Sequence, residues 1–221
     1  MSGRRIVAVV LAAAMLMTGC ATTVVGTATW PGAVLEQATL RESDFPAGVQ
    51  YDRIIEKSGQ PDGAGEPGPM LSRPQGCSNA LTNVIAQSAE RGPGSAAKYA
   101  VSYDGARIAI TLLSWNLDLG KIEAAASRCA KFEAFFDPDS PGIPIVTVEL
   151  PGLEAGGLGY QQTMTLRNST SSIYMAFRNV GSHAVFGISL PASNPRIEAK
   201  AELPQTFLDV FARQVARIRS S

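Results

Sequence analysis

Apolar positions along this 221-residue chain recur with two periods, and each switch between them marks an element. Pro46 and Gly48 make a turn, after which Val49 to Lys57 predicts a first strand. Residues 58–76 are dense in proline and glycine, which predicts a long surface loop. Behind it, residues 77–91 place Leu81, Val84 and Ile85 on one helical face, with Ser78 as N-cap. Asp104-Gly105 is a strong hairpin signal between two strands, Lys98 to Tyr103 and Arg107 to Trp115. A long helix is expected over 118–136, with Ile122, Ala125, Cys129, Phe132 and Phe136 as its inner stripe. Period two then returns in Ile143–Leu150, Tyr160–Arg167, Ser172–Val180 and His183–Leu190. A last amphipathic helix carries Phe207, Val210, Phe211, Val215 and Ile218 on its stripe. The order β-α-ββ-α-ββββ-α with short turns implies an α+β fold, an antiparallel sheet with about three helices packed on it.

The N-terminus follows neither period. Ile6 to Met17 is an unbroken apolar run of twelve residues behind Arg4 and Arg5. It lacks the polar face of a buried amphipathic helix and falls short of the roughly 20 residues that span a bilayer, so residues 1–19 are expected to be a signal peptide. The run closes on Met17-Thr18-Gly19-Cys20, which resembles the bacterial lipoprotein signal, with Met17 where leucine is usual. That resemblance implies cleavage before Cys20 and palmitate-type acylation of the new N-terminus, enough for stable attachment to a membrane. Residues 20–38 then read as lipidated end and tether, with Trp30 as an aromatic exception, and 39–221 as a single domain.

Charge and cysteine count narrow the function. Loss of Arg4 and Arg5 with the signal leaves 17 basic against 19 acidic residues, which argues against a nucleic-acid partner. Of three cysteines, lipidation would take Cys20 and leave Cys77 and Cys129 as an even pair in an oxidising setting. A disulfide between them is the expectation; two buried free thiols are the alternative. One histidine and distant cysteines do not make a zinc site, and no other cofactor is implied.

No catalytic constellation stands out. There is no G-x-S-x-G elbow, phosphate loop, dinucleotide fingerprint or H-E-x-x-H, and the sole histidine, His183, sits at a turn. Glu149 and Glu154 flank a Pro-Gly turn and read as solvated carboxylates; Asn168-Ser169-Thr170 is an incidental sequon. On the late strands, Met164, Leu166, Ile173, Met175, Phe177, Phe186, Ile188 and Leu190 are expected to face the helices. The opposite face would carry Thr163, Thr165, Arg167, Tyr174, Arg178, His183 and Ser189. That face reads either as an ordinary solvated surface or as a recognition surface. In the second reading Arg178 supplies a fork for carboxylate or phosphate, Tyr174 a stacking plate, and Trp115 a further contact.

The Gly-Cys junction, "DFPAGV" before the first strand, the Pro-rich loop ending in "GC", the "SW" strand end and the amphipathic last helix together resemble small mycobacterial cell-envelope lipoproteins. Within them, the layout of residues 38–220 is similar to the extracellular sensor domain of PknH-type kinases, which typically has two disulfides where this chain offers cysteines for one. The resemblance implies a grooved α+β domain with no established enzyme activity, lipid-anchored to the outer face of the cytoplasmic membrane. A non-enzymatic module for an envelope glycan, lipid or protein is the leading class; a lipid carrier with an apolar cavity and an enzyme with an unrecognised site are the others.

Intact mass of the full chain expressed in a lipoprotein-processing bacterium should show an acylated Cys20 N-terminus, and Cys20→Ala should move the protein out of the membrane fraction. Retention of Met1, or cleavage elsewhere, contradicts the lipoprotein reading.

Overall fold

The structure is a computed structural model that describes residues 31–54, 70–83 and 94–220. The signal peptide, Cys20, Trp30 and most of the helix expected over 77–91 lie outside them; residues 78–82 of that helix form turns. The described elements are α1 (Pro31–Ala38), a 3-10 turn (Glu42–Asp44), β1 (Gln50–Ile54), β2 (Leu71–Arg73), β3 (Ala96–Tyr103), β4 (Gly105–Leu113) and α2 (Leu119–Arg128). They continue with β5 (Lys131–Phe135), β6 (Ile143–Glu149), β7 (Gly157–Leu166), β8 (Ser169–Val180), β9 (His183–Ala192) and α3 (Gln205–Arg219). All nine strands join one antiparallel sheet in the order β1-β3-β4-β9-β8-β7-β6-β5-β2. This is the expected α+β architecture. The hairpin turns on Asp104-Gly105, with Tyr103 opposite Ala106 and Gly105 at φ 108°.

Helices cover both faces of the sheet, whereas the sequence pattern put them on one. Ile122 and Ala126 of α2 pack over Ala184 and over Met175, Phe177 and Phe186, three of the strand residues expected to face helix. The terminal helix α3 takes the other face, setting Phe207, Val210, Phe211 and Val215 against Tyr99, Ile108, Ile110, Ala176 and Val185. A notch of small residues admits it. Ala176 and Gly187 are cross-strand partners, and a Cβ at Gly187 would stand 2.9 Å from Phe211 and 3.0 Å from both Phe207 and Ile110. Burying each phenylalanine there contributes about 1.5–3 kcal/mol. With both faces covered, β3 is buried along almost its whole length and loses the clean alternation of a half-exposed strand.

Three further departures have local causes. The long second helix stops at Arg128, and residues 131–135 turn into strand β5. "KFEAFF" fits either period; pairing with β2 and β6 selects the strand, burying Phe132 and Ala134 and leaving Phe136 73% exposed rather than inward. Within the expected Pro-rich loop, Leu71–Arg73 forms edge strand β2. The domain also starts inside the expected 20–38 tether, because Leu35 and Ala38 of α1 are buried in the core.

Gln214 holds α1 in place. It is fully buried on α3; its Oε1 accepts from the Leu40 amide at 3.1 Å and its Nε2 donates to the Ala38 carbonyl at 2.7 Å. Both backbone groups stand at the end of α1, where the helix leaves them unpaired. Around this contact Arg213 stacks over Phe45, Arg217 meets Asp44 at 2.8 Å, and Tyr51 donates to the Leu40 carbonyl at 2.9 Å.

Gln214→Leu keeps the volume but strands two buried backbone groups. Denaturant unfolding should show a loss of about 2–4 kcal/mol, with faster amide exchange at Leu40; a variant as stable as the parent contradicts this role.

Candidate functional site

Cys77 and Cys129 are disulfide-bonded, with Cα atoms 5.4 Å apart, which is the pairing expected from the sequence. Cys129 ends α2 immediately before β5, and Cys77 follows β2, so the bond ties the β2 segment to the α2–β5 corner. By the loop-entropy relation, closing a separation of 52 residues contributes about 4 kcal/mol. The half-cystines lie fully buried with Ala80, Phe132 and Ala134. A disulfide so placed fits a protein that folds in an oxidising compartment. No helix among the described residues is long and apolar enough to cross a membrane.

Side chains fix the segment between β2 and Cys77. Ser72 Oγ accepts from the Cys77 and Ser78 amides at 2.8 and 3.2 Å and donates to the Pro74 carbonyl at 2.9 Å. Ser78 Oγ donates to the Met70 carbonyl, and Arg128 of α2 reaches the Gln75 carbonyl at 3.3 Å. The result is a short, ordered bend at the sheet edge.

An open pocket of about 560 Å3 lies against this bend. Arg73, Gln75, Ser78, Asn79, Asn83 and Phe135 give it its chemistry. The Arg73 guanidinium sits 5.3 Å from the centre of the Phe135 ring, a cation–π contact. The side-chain amides of Asn79 and Asn83 have no hydrogen-bond partner among the described residues. Arg73 is the sole ionisable group among the described residues of the lining. One cationic fork beside an aromatic ring, with amides around it, suits hydrogen bonding to carboxylate, phosphate or hydroxyl groups.

The residues chosen from the sequence as a binding surface are not assembled there. Tyr174, Arg178 and His183 do share a face, but it is the one α3 covers, and Tyr174 is half-buried against the core beneath it. Arg178 donates to the Glu154 carbonyl at 3.1 Å and lies 3.4 Å from the Glu154 carboxylate, which also takes Arg219 of α3 at 2.9 Å. That fork is occupied within the fold. His183 sits at the β8–β9 turn, with Nδ1 3.3 Å from Ser182 Oγ. Arg167 stands in the β7–β8 turn at φ 54°, the far end of β8 from Arg178, roughly 30 Å along the strand. Trp115 packs in the α2-side cluster on the opposite face. Thr163 and Thr165 lie on the uncovered part of the α3 face, where Thr163 bonds to Ser172 at 3.0 Å. Glu149 and Glu154 separate: Glu154 joins the arginines, and Glu149 pairs across the sheet with Tyr160 under α2.

The edge pocket was hidden in the sequence because its residues fall in what looks like featureless loop and helix. The available signal was Cys77 itself, which ties that loop to α2.

No family model and no curated protein matches the chain. Among solved structures it is similar to the extracellular domain of PknH from Mycobacterium tuberculosis, with TM-score 0.49 and 10% identity over 85% of this chain and 95% of that one. It is also similar to an uncharacterized protein of Mycobacterium smegmatis, a Rv0999 ortholog, with TM-score 0.44 and 14% identity over 86% of this chain and 95% of that one. PknH-type sensor domains are the group that the layout of the sequence resembles.

Proposed function

We propose that this protein is an extracytoplasmic, sensor-type recognition module, tethered to the outer face of the cytoplasmic membrane through acylated Cys20, that binds an envelope component without transforming it. The observation that carries the reading is the pocket beside the disulfide. It is concave, built on a covalently fixed bend, and its described lining holds the Arg73 guanidinium, the Phe135 ring and the side-chain amides of Asn79 and Asn83. The ligand class that suits this lining is a glycan or headgroup bearing carboxylate or phosphate, held by Arg73 and the amides of Asn79 and Asn83. Recognition of that kind needs no proton transfer. A lipid carrier would need an enclosed apolar cavity, whereas this pocket is open and mixed in character.

Native mass spectrometry of the chain purified from a mycobacterial envelope should detect an anionic glycan or headgroup bound to it. The Arg73→Ala/Asn79→Ala variant should lose occupancy by about tenfold or more, the scale of one charge-assisted hydrogen bond. A ligand retained equally by that variant contradicts the pocket assignment. A bound lipid with enclosed acyl chains favours the carrier instead.

A further inference from the structure

The Arg73 pocket opens onto a bare part of the sheet. Cross-strand partners share a face, so Arg73 of β2, Glu133 of β5 and Pro144 of β6 form one row of side chains. Lys131, Val146, Thr163 and Ser172 form the next row, with Val148 opposite Gln161 beyond them. Ser172 shares this face with Tyr174, two residues on, which flanks α3. The helix lies over β8 and β9, and the same face of β5 and β6 is left to solvent: Val146 and Val148 are 38% and 48% exposed.

Two observations say what such a face suits. The first is a triangle of hydrogen bonds. Gln161 Nε2 donates to Thr163 Oγ1 at 3.3 Å and to Ser172 Oγ at 3.0 Å, and the two hydroxyls bond to each other at 3.0 Å. These bonds use both amide protons and one of the two hydroxyl protons. One O–H and the Gln161 carbonyl oxygen remain, held by the network, to meet a group that both accepts and donates, as a sugar hydroxyl does. The second is the distribution of charge. Arg73, Glu133 and Lys131 stand at the β2–β5 margin, whereas β6 and β7 present only neutral side chains here, valine beside threonine and glutamine.

We propose that this face continues the Arg73 site and that its occupant is a linear glycan with one anionic end. The carboxylate or phosphate sits at Arg73, and the neutral sugars cross β5, β6 and β7. The inference rests on the reading of the Arg73 pocket as a recognition site and extends its ligand from a headgroup to a chain. From β2 to β7 is three strand intervals, roughly 14 Å, more than a single sugar covers. Pyranose rings turn their C–H faces to Val146 and Val148 and their hydroxyls to the Gln161 network. Other occupants fit less well. An added peptide strand needs a free sheet edge, and β5, β6 and β7 are paired on both sides. An acyl chain needs enclosure, and this face is open.

The test is amide-detected NMR on the oxidised, exported chain titrated with malto-oligosaccharides of two, four and six sugars, each oxidised at its reducing end to a single carboxylate. Every acid should shift Arg73, Ser78 and Asn79. The two longer acids should also shift Val146, Val148, Gln161 and Thr163, and should bind about tenfold or more tighter than the shortest. Neutral maltohexaose, run in parallel, should bind more weakly than the six-sugar acid. Arg73→Ala should weaken every acid, whereas Gln161→Ala/Thr163→Ala should remove the gain with length. If that double variant fails to fold, Val148→Asp, at an exposed position, takes its place and should remove the same gain. Equal affinity at all lengths, or a gain that survives these variants, overturns the extension and leaves the pocket standing. No saturable shift with any acid overturns the pocket reading and the extension with it.

Discussion

The Cys77–Cys129 bond sits where the fold has least else to hold it. The strand order places β5 and β2 at one end of a nine-stranded sheet, beyond the reach of α3 and its aromatic stripe. Among the described residues β2 pairs with β5 alone, through three residues, a short ladder at the sheet margin. The disulfide, buried against Phe132 and Ala134, makes this margin part of the domain. It joins the bend after β2 to the corner where α2 gives way to β5, so the edge strand, the end of the helix and the wall of the Arg73 pocket share one anchor.

The other end of the sheet is held by packing. Gly187 and Ala176 open a notch into which Phe207 and Phe211 fit, and Gln214 on the same helix clamps the end of α1 through two buried hydrogen bonds. That end carries tightly interdigitated core and committed charges, including the Arg178–Glu154–Arg219 cluster. Open pockets among the described residues lie at the α2 side and at the disulfide edge. Division of labour follows from topology: a packed half supports a half with open concave surfaces, where binding sites are normally found.

Much of this was readable from the sequence. The Asp104-Gly105 hairpin, the four late strands and the stripe of the last helix are strong periodic signals with clear turn chemistry, and each appears within a few residues of its expected bounds. The cysteine pair followed from parity and compartment. What the pattern could not carry was which face α3 would choose. Alternation records large apolar residues, and the α3 face of β8 and β9 is built around Ala176 and Gly187, whose value lies in being small. Tyr174 and Arg178 therefore looked like an outer face when they flank a helix. "KFEAFF" failed for a related reason: a short run satisfying both periods is decided by its neighbours in the sheet, here β2 and β6, which are distant in sequence. The Arg73 pocket was least legible, because Arg73 and Asn79 meet Phe135, distant in sequence, through the disulfide and the β2–β5 pairing.

Hydrogen exchange by mass spectrometry on the oxidised and the reduced exported chain tests most directly whether the disulfide is what holds the candidate site together. The account requires exchange to rise on reduction across 70–83 and β5, while β3, β4, β9 and α3, held by their own packing, keep their protection. Unchanged protection at 70–83, or a uniform rise throughout the sheet, would contradict it.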